Sequence, residues 1–220
     1  MRLLELVNYP DKAVRSLSIK AIAILCSSRN NHFVTNLLQA DLLDRLYKSI
    51  TTFEQSQREK LVFLWICESI SMNGCEDLDV LLRHECLGKI IEYAHPSEQS
   101  HVRTHSLGTL KIMLGIASYS QTECIFNIHR DLLAMLVHNL TNPNEPADVI
   151  ARTLKCLISL VKNYNNIYTP IANNKVVYEL ERICQIENIT DELTRHQNSQ
   201  VEKNALELAN LIGQCQTFDI

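Results

Sequence analysis

Residues Arg58 to Met72 read REKLVFLWICESISM, a stretch that contains the chain's one tryptophan, Trp65. Leu61, Leu64 and Ile70 return at helical intervals through it, so the segment is an amphipathic helix with an apolar side to bury. Gly74 follows in the C′ position, where a glycine ends a helix without steric penalty. Ser69 stands one turn after Trp65 and shares its side of the helix.

Similar segments occur before and after this one at a nearly fixed interval. Leu42, Leu87, Leu132 and Val177 recur every 45 residues, each heading an apolar patch such as Leu132-Leu133-x-x-Leu136-Val137. Leu25, Ile70, Leu114 and Leu160 repeat at 45, 44 and 46 residues and close the longest helix of each copy. Two marker sets with one period identify an internal repeat, in which each copy is a supersecondary unit unable to cover its own apolar face. Long helices are expected over Ala13–Ser28, Arg58–Met72, His101–Ser118 and Ala147–Asn163, and a last one over Gln200–Gln214. Shorter helices are expected between them, including one over Asn166–Asn173. Glu187–Asn198 reads as a polar linker before the last helix.

Glycine and proline number five each in 220 residues, and period-two alternation is missing, so the chain is all-α. A hydrophobic fraction of 46% provides a core, and a net charge of −4 argues against direct nucleic-acid binding, which calls for a basic excess. No apolar run reaches the roughly 20 residues of a membrane span, and no secretory leader opens the sequence. Eight cysteines, five of them (Cys26, Cys67, Cys124, Cys156 and Cys184) inside apolar helical patterns, read as unpaired thiols in a reducing compartment, cytoplasmic or nuclear.

Short, short, long at a period near 45 is the armadillo plan. The expected fold is a right-handed armadillo-like solenoid of three-helix repeats, with the long third helices lining a concave side. It is read as one domain over 1–220: a partial repeat at 1–28, repeats at about 30–73, 75–118 and 120–164, and a C-terminal repeat and cap at about 166–215. Leu3–Val7 corresponds to the second helix of a repeat whose first helix is missing. The solenoid is therefore expected to be N-terminally truncated, leaving Leu3, Leu4, Leu6 and Val7 partly exposed on an open face that a partner could meet.

On these residues the chain resembles the armadillo family, and most nearly the C-terminal half of importin-α. In that family the third helix carries a Trp-x-x-Ser-Asn pattern; here the tryptophan falls on Trp65, the serine on Glu68 and the asparagine on Ser69. The resemblance implies a concave face that grips the backbone of an extended ligand, with the tryptophan packed on aliphatic stems. Stepping by the period, the tryptophan-like positions are Lys20, Trp65, Thr109 and Lys155, and the asparagine-like positions are Ile24, Ser69, Met113 and Ser159. The expected partner-binding set is Lys20, Trp65, Ser69, Thr109, Lys111, Met113, Lys155 and Ser159.

The partner expected is an extended segment of another protein. Lys20, Lys111 and Lys155, with Arg15, Arg58, Arg103 and Arg152 near the starts of successive long helices, would suit an acidic or phosphorylated segment. The importin-like alternative is a basic nuclear-localisation peptide, as in nuclear import. Other chemistry is poorly supported. His101 and His105 have metal-ligand spacing on a helix but lack a third ligand, and Cys75, His84 and Cys86 do not match a zinc knuckle. The expectation is a non-enzymatic scaffold or adaptor without metal or cofactor.

Overall fold

A computed structural model describes residues 2–28, 31–164 and 174–216. Among these residues there are fourteen α-helices and no strand. None of the helices is long and apolar enough to cross a membrane. The chain divides into two compact units, Met1–Tyr93 and Ala94–Ile220.

The first unit contains α1 (Arg2–Leu6), α2 (Lys12–Cys26), α3 (Asn31–Gln39), α4 (Leu42–Thr52), α5 (Gln57–Met72), α6 (Cys75–Leu82) and α7 (Cys86–Tyr93). The start signals are explicit. Asp11 accepts from the amides of Ala13 and Val14 at 2.9 and 3.0 Å. Ser56 forms a capping box with Glu59, satisfying donors at both ends of the first turn. Gly74, at φ +145°, links α5 to α6 with a backbone that a side chain would strain. Equivalent helices pack on one another, α2 on α5, α3 on α6 and α4 on α7, so each copy buries the apolar face of the copy before it. Phe63, Leu64, Ile66 and Ile70 are thereby removed from water, whereas Leu61 is only half-buried.

The N-terminal helix departs from expectation. Leu4 and Val7 are buried, because α1 packs on α2 and α4 and turns these two residues inward; Leu3 and Leu6 remain half-buried. Asn8 then donates from Nδ2 to the Arg45 carbonyl at 3.1 Å, fastening the turn after α1 to α4.

The second unit contains α8 (Ser100–Ile116), α9 (Tyr119–Ile128), α10 (Leu132–Thr141), α11 (Ala147–Tyr164), α12 (Lys175–Cys184), α13 (Ile186–Leu193) and α14 (Ser199–Gln216). The long helix α11 packs between α8 and α14, while α10 packs on α12. Buried and half-buried amide and thiol groups stitch neighbouring helices together. Asn163 Nδ2 donates to the Leu114 carbonyl at 2.8 Å, Asn204 Nδ2 to the Ala151 carbonyl at 2.9 Å, and Cys156 Sγ to the Leu107 carbonyl at 3.5 Å. The helix expected over Asn166–Asn173 lies outside the described residues.

Residues 186–193, read from sequence as part of a polar linker, are helical. Ile186, Thr190 and Leu193 fall on one side of α13 at spacings of four and three and are buried against α14. A narrow apolar stripe in a polar composition is enough when a long partner helix covers it.

Candidate functional site

The sequence places the candidate surface on the outward sides of the long helices. In the first unit these sides are apolar beyond the exposed Lys12 and Arg58 at the helix starts. Leu17 and Ile24 on α2 are 64% and 62% exposed, and Trp65 and Met72 on α5 are 44% and 66% exposed. Each pair is seven residues apart and so lies along one helix side, opposite the residues that fill the core. Lys20 is half-buried between Leu17 and Ile24. At the C-terminal ends of these two helices is a hollow of about 260 Å³, lined by Cys26, Ser27, Trp65, Glu68, Ser69, Met72 and Asn73.

Ser69 Oγ donates to the Trp65 carbonyl at 2.9 Å, within its own helix. Burial pushes the Cys26 thiol up to about 12, so it remains protonated and is a poor nucleophile. Glu68 is half-buried and makes no ion pair among the described residues.

In the second unit the outward sides are charged. Lys111 on α8 and Arg152 on α11 are exposed, while Lys155 and Ser159 on α11 are half-buried. The Arg152 guanidinium lies over Gly108, so close that a Cβ built there would be 2.5 Å from Nη1. Glu207 on α14 accepts from Lys155 Nζ at 2.7 Å and from Lys162 Nζ at 2.6 Å. Those hydrogen bonds, that from Lys155 first, hold the Glu207 carboxyl below the usual carboxylate range.

Two residues of the expected set do not belong to the surface. Thr109 is 1% exposed, with its Oγ1 donating to the His105 carbonyl at 3.1 Å, and Met113 is fully buried. The cause is a shift in register. Trp65 stands nine residues after its N-cap Ser56, and the residue nine after the N-cap Gln99 of α8 is Gly108. Stepping by the period overshoots by one residue, a rotation of about 100° that turns both side chains into the core.

The arginines expected to form a basic stripe also divide. Arg58 and Arg152 are exposed, but Arg15 and Arg103 are 4% and 6% exposed and hold the fold. Arg15 Nη1 donates to the carbonyls of Tyr9 and Pro10 at 3.0 and 3.2 Å, with its guanidinium 3.7 Å above the Phe53 ring. Arg103 Nη1 donates to the Pro96 carbonyl at 2.7 Å, and Nη2 pairs with the buried Glu145 carboxylate. Both therefore tie the turn before a long helix to that helix.

The histidine and cysteine sets bring no metal centre together. Cys86 is buried with its thiol on the Leu43 carbonyl, and Cys75 is exposed. His84 accepts from the Cys86 amide at 3.1 Å and faces Asp44 at 3.3 Å. Among the described residues no three His, Cys, Asp or Glu side chains are grouped to hold a metal ion.

Sequence reasoning missed Leu17 and Met72, and placed Ile24 at an asparagine-like position without counting it among the partner-binding residues. Their signal was present: apolar residues seven apart on the side of the helix away from the marker positions.

No family model matches the chain, and no curated protein matches it by sequence. Solved structures do. A designed armadillo repeat protein, YIII(Dq.V1)4CPAF, solved in complex with the peptide (KR)4, aligns with a TM-score of 0.64 over 96% of this chain and 98% of its own, at 17% identity. The fold is that of an armadillo-like repeat protein. Computationally designed armadillo repeat proteins for modular peptide recognition align almost equally, with a TM-score of 0.63 over 96% of this chain and 98% of theirs, at 16% identity. The chain thus has the all-α solenoid fold of armadillo repeats, built from residues largely different from those of the designs.

Proposed function

We propose that this armadillo-like protein is an interaction scaffold that holds an extended segment of a partner protein along the outward sides of its long helices. The observation that carries this reading is the apolar side of α2 and α5, where Leu17, Ile24, Trp65 and Met72 stay in water beside a hollow of about 260 Å³. Large apolar side chains gathered on one surface are a mark of a binding face, and tryptophan is enriched among residues that dominate binding energy. The similar designed structure that carries the peptide (KR)4 supports the reading as an analogy of fold. Trp65→Ala with Met72→Ala should weaken a captured partner peptide roughly tenfold or more, as loss of an aromatic anchor does. Both side chains are well exposed, so the thermal melt should stay nearly unchanged. Undiminished affinity in the double variant would send the binding surface elsewhere.

A second reading, nuclear import of basic peptides, is favoured by one observation. The Glu68 carboxylate lines the same hollow as Trp65 without an ion-pair partner among the described residues, so a lysine could place its stem on the indole and its ammonium on Glu68. Titration with a lysine-rich and a leucine-rich peptide separates the two readings. Selective binding of the lysine-rich peptide, lost in Glu68→Gln, would establish the second.

A further inference from the structure

The second unit has a cleft away from the long helices. It measures about 340 Å³ and lies between α9, the turn into α10, and α12. Phe126 and Ile183 give it an apolar lining, and Arg130, Lys175 and Arg182 bring three cations to it. One carboxylate, Glu179, is present. It is already engaged by Arg182, whose Nε and Nη2 lie 2.9 and 2.7 Å from Oε2. Lys175 Nζ sits 5.4 Å above the Phe126 ring, a weak cation–π contact that leaves its hydrogen-bond donors open. Arg130 is exposed, and neither it nor Lys175 has an ion pair among the described residues. The whole chain carries a net charge of −4, so this positive excess is local and does not follow from composition.

These features select a ligand. The volume is at the lower end of the roughly 300–1,000 Å³ of small-molecule sites, enough for a side chain and its neighbours and far more than a single ion requires. The apolar lining asks for a hydrophobic group, and the two uncompensated cations ask for carboxylates on either side of it. A nucleic acid is a poor match, because its affinity comes from neutralising many phosphates in a row. A lipid surface is also a poor match, since a flat surface does not enter a concavity.

We infer that the cleft is a docking site for an acidic segment of a partner protein. A leucine or aromatic side chain enters against Phe126 and Ile183, and flanking carboxylates meet Arg130 and Lys175. The site stands apart from the long-helix surface of the proposed function, because none of α9, α10 or α12 contributes to that surface.

The test uses the full chain and a fluorescein-labelled peptide of aspartates and glutamates around one central leucine, followed by anisotropy. Saturable binding that weakens as salt is raised is expected. Arg130→Glu with Lys175→Glu should weaken it roughly tenfold or more, as charge reversal across a complementary contact does. Lys111→Glu with Arg152→Glu, on the outward sides of α8 and α11, should leave it unchanged. All four residues are exposed, so these variants should fold, which circular dichroism checks; the milder Arg130→Gln and Lys175→Gln should give intermediate losses. Absence of saturable binding would overturn the inference, as would loss in the Lys111 and Arg152 variant alone, which moves the acidic segment to the long helices. Equal binding of a peptide with serine in place of leucine would also overturn it, leaving a site for charge only. None of these failures touches the Trp65 and Met72 experiment, which reads a different peptide on the other unit.

Discussion

On α2 and α5 of the first unit, the large apolar side chains turned from the core are Leu17, Ile24, Trp65 and Met72, and the exposed charges, Lys12 and Arg58, are confined to the helix starts. On α8 and α11 of the second, the exposed residues include Lys111, Arg152 and Lys162, with Lys155 half-buried among them. Both units set long helices apart by shorter ones. The difference teaches that inward positions of a repeat are constrained by stacking, whereas outward ones are left to the ligand. A period can therefore be sound while the residues it lines up have unrelated chemistry.

The largest effect expected from this contrast lies beneath the surface. Arg15 and Arg103 each stand four residues after the N-cap of a long helix and each hold the preceding turn. Only Arg103 forms an ion pair with a buried carboxylate, Glu145, whose side chain is 1% exposed; Arg15 acts on the buried Glu59 only as one of two nearby charges, with Lys12 as the other. Arg103→Ala leaves that charge buried and unpaired, so a loss of about 3–5 kcal/mol is expected. Arg15→Ala removes hydrogen bonds to two neutral carbonyls, a ring contact and one of two cations near Glu59, which keeps its Ser56 hydrogen bonds and Lys12, so about 1–3 kcal/mol is expected. Urea unfolding of both variants checks the order. An Arg15 variant that loses as much as the Arg103 variant would break the distinction.

The fold was legible because its markers, the half-buried Leu25 apart, are core residues. Leu42, Leu87 and Leu132 are at most 1% exposed, and Ile70, Leu114 and Leu160 are equally buried, so the sequence period is the period of packing itself. Helix α13 was lost because three buried residues in a polar stretch look like a linker until α14 is there to cover them. The surface was less legible. Thr109 and Met113 were misplaced because the step of 44 taken from the marker residues is one longer than the 43 residues between the N-caps Ser56 and Gln99, and one residue is about 100° of rotation. Leu17 and Met72 were missed, and Ile24 was left out of the binding set, for another reason. An apolar residue on the outward side of a helix looks in sequence like one more core residue, and only its exposure reveals otherwise.

A smaller effect is expected where the second unit ties its own charges together. The Glu207 carboxyl is held below the usual range by hydrogen bonds from Lys155 and Lys162. A carboxylate with a depressed folded value stabilises above its unfolded value and loses that contribution as pH falls through the folded one. All three side chains are partly exposed, so solvent limits the gain to roughly 0.2–1 kcal/mol. Glu207→Gln should therefore melt slightly below the unaltered protein at neutral pH, and the gap should close in acid once Glu207 is protonated. A gap independent of pH would assign the loss to packing instead. The first unit's capping carboxylate, Glu59, is a control for the sign. Burial pushes it up, but hydrogen bonds from Ser56 and the nearby Lys12 and Arg15 outweigh this and leave it lowered.

The smallest effect concerns the position where the two units differ most. Counted from the N-cap, Trp65 in the first unit corresponds to Gly108 in the second, where the Arg152 guanidinium lies in place of a side chain. Glycine inside a helix is less favourable than alanine by roughly 0.5–1 kcal/mol, because its backbone has more freedom to lose. Against this, a Cβ would meet Arg152 Nη1 at 2.5 Å. That atom ends a long flexible side chain on the exposed side of α11, so the guanidinium can swing outward. Gly108→Ala is expected to melt at the same temperature as the unaltered protein or slightly above it, with the Arg152 side-chain NMR signal shifted. A loss above about 1 kcal/mol, the whole of the propensity gain and more, would mean instead that Arg152 is locked onto Gly108. The outward side of the second unit would then be as specifically packed as its core.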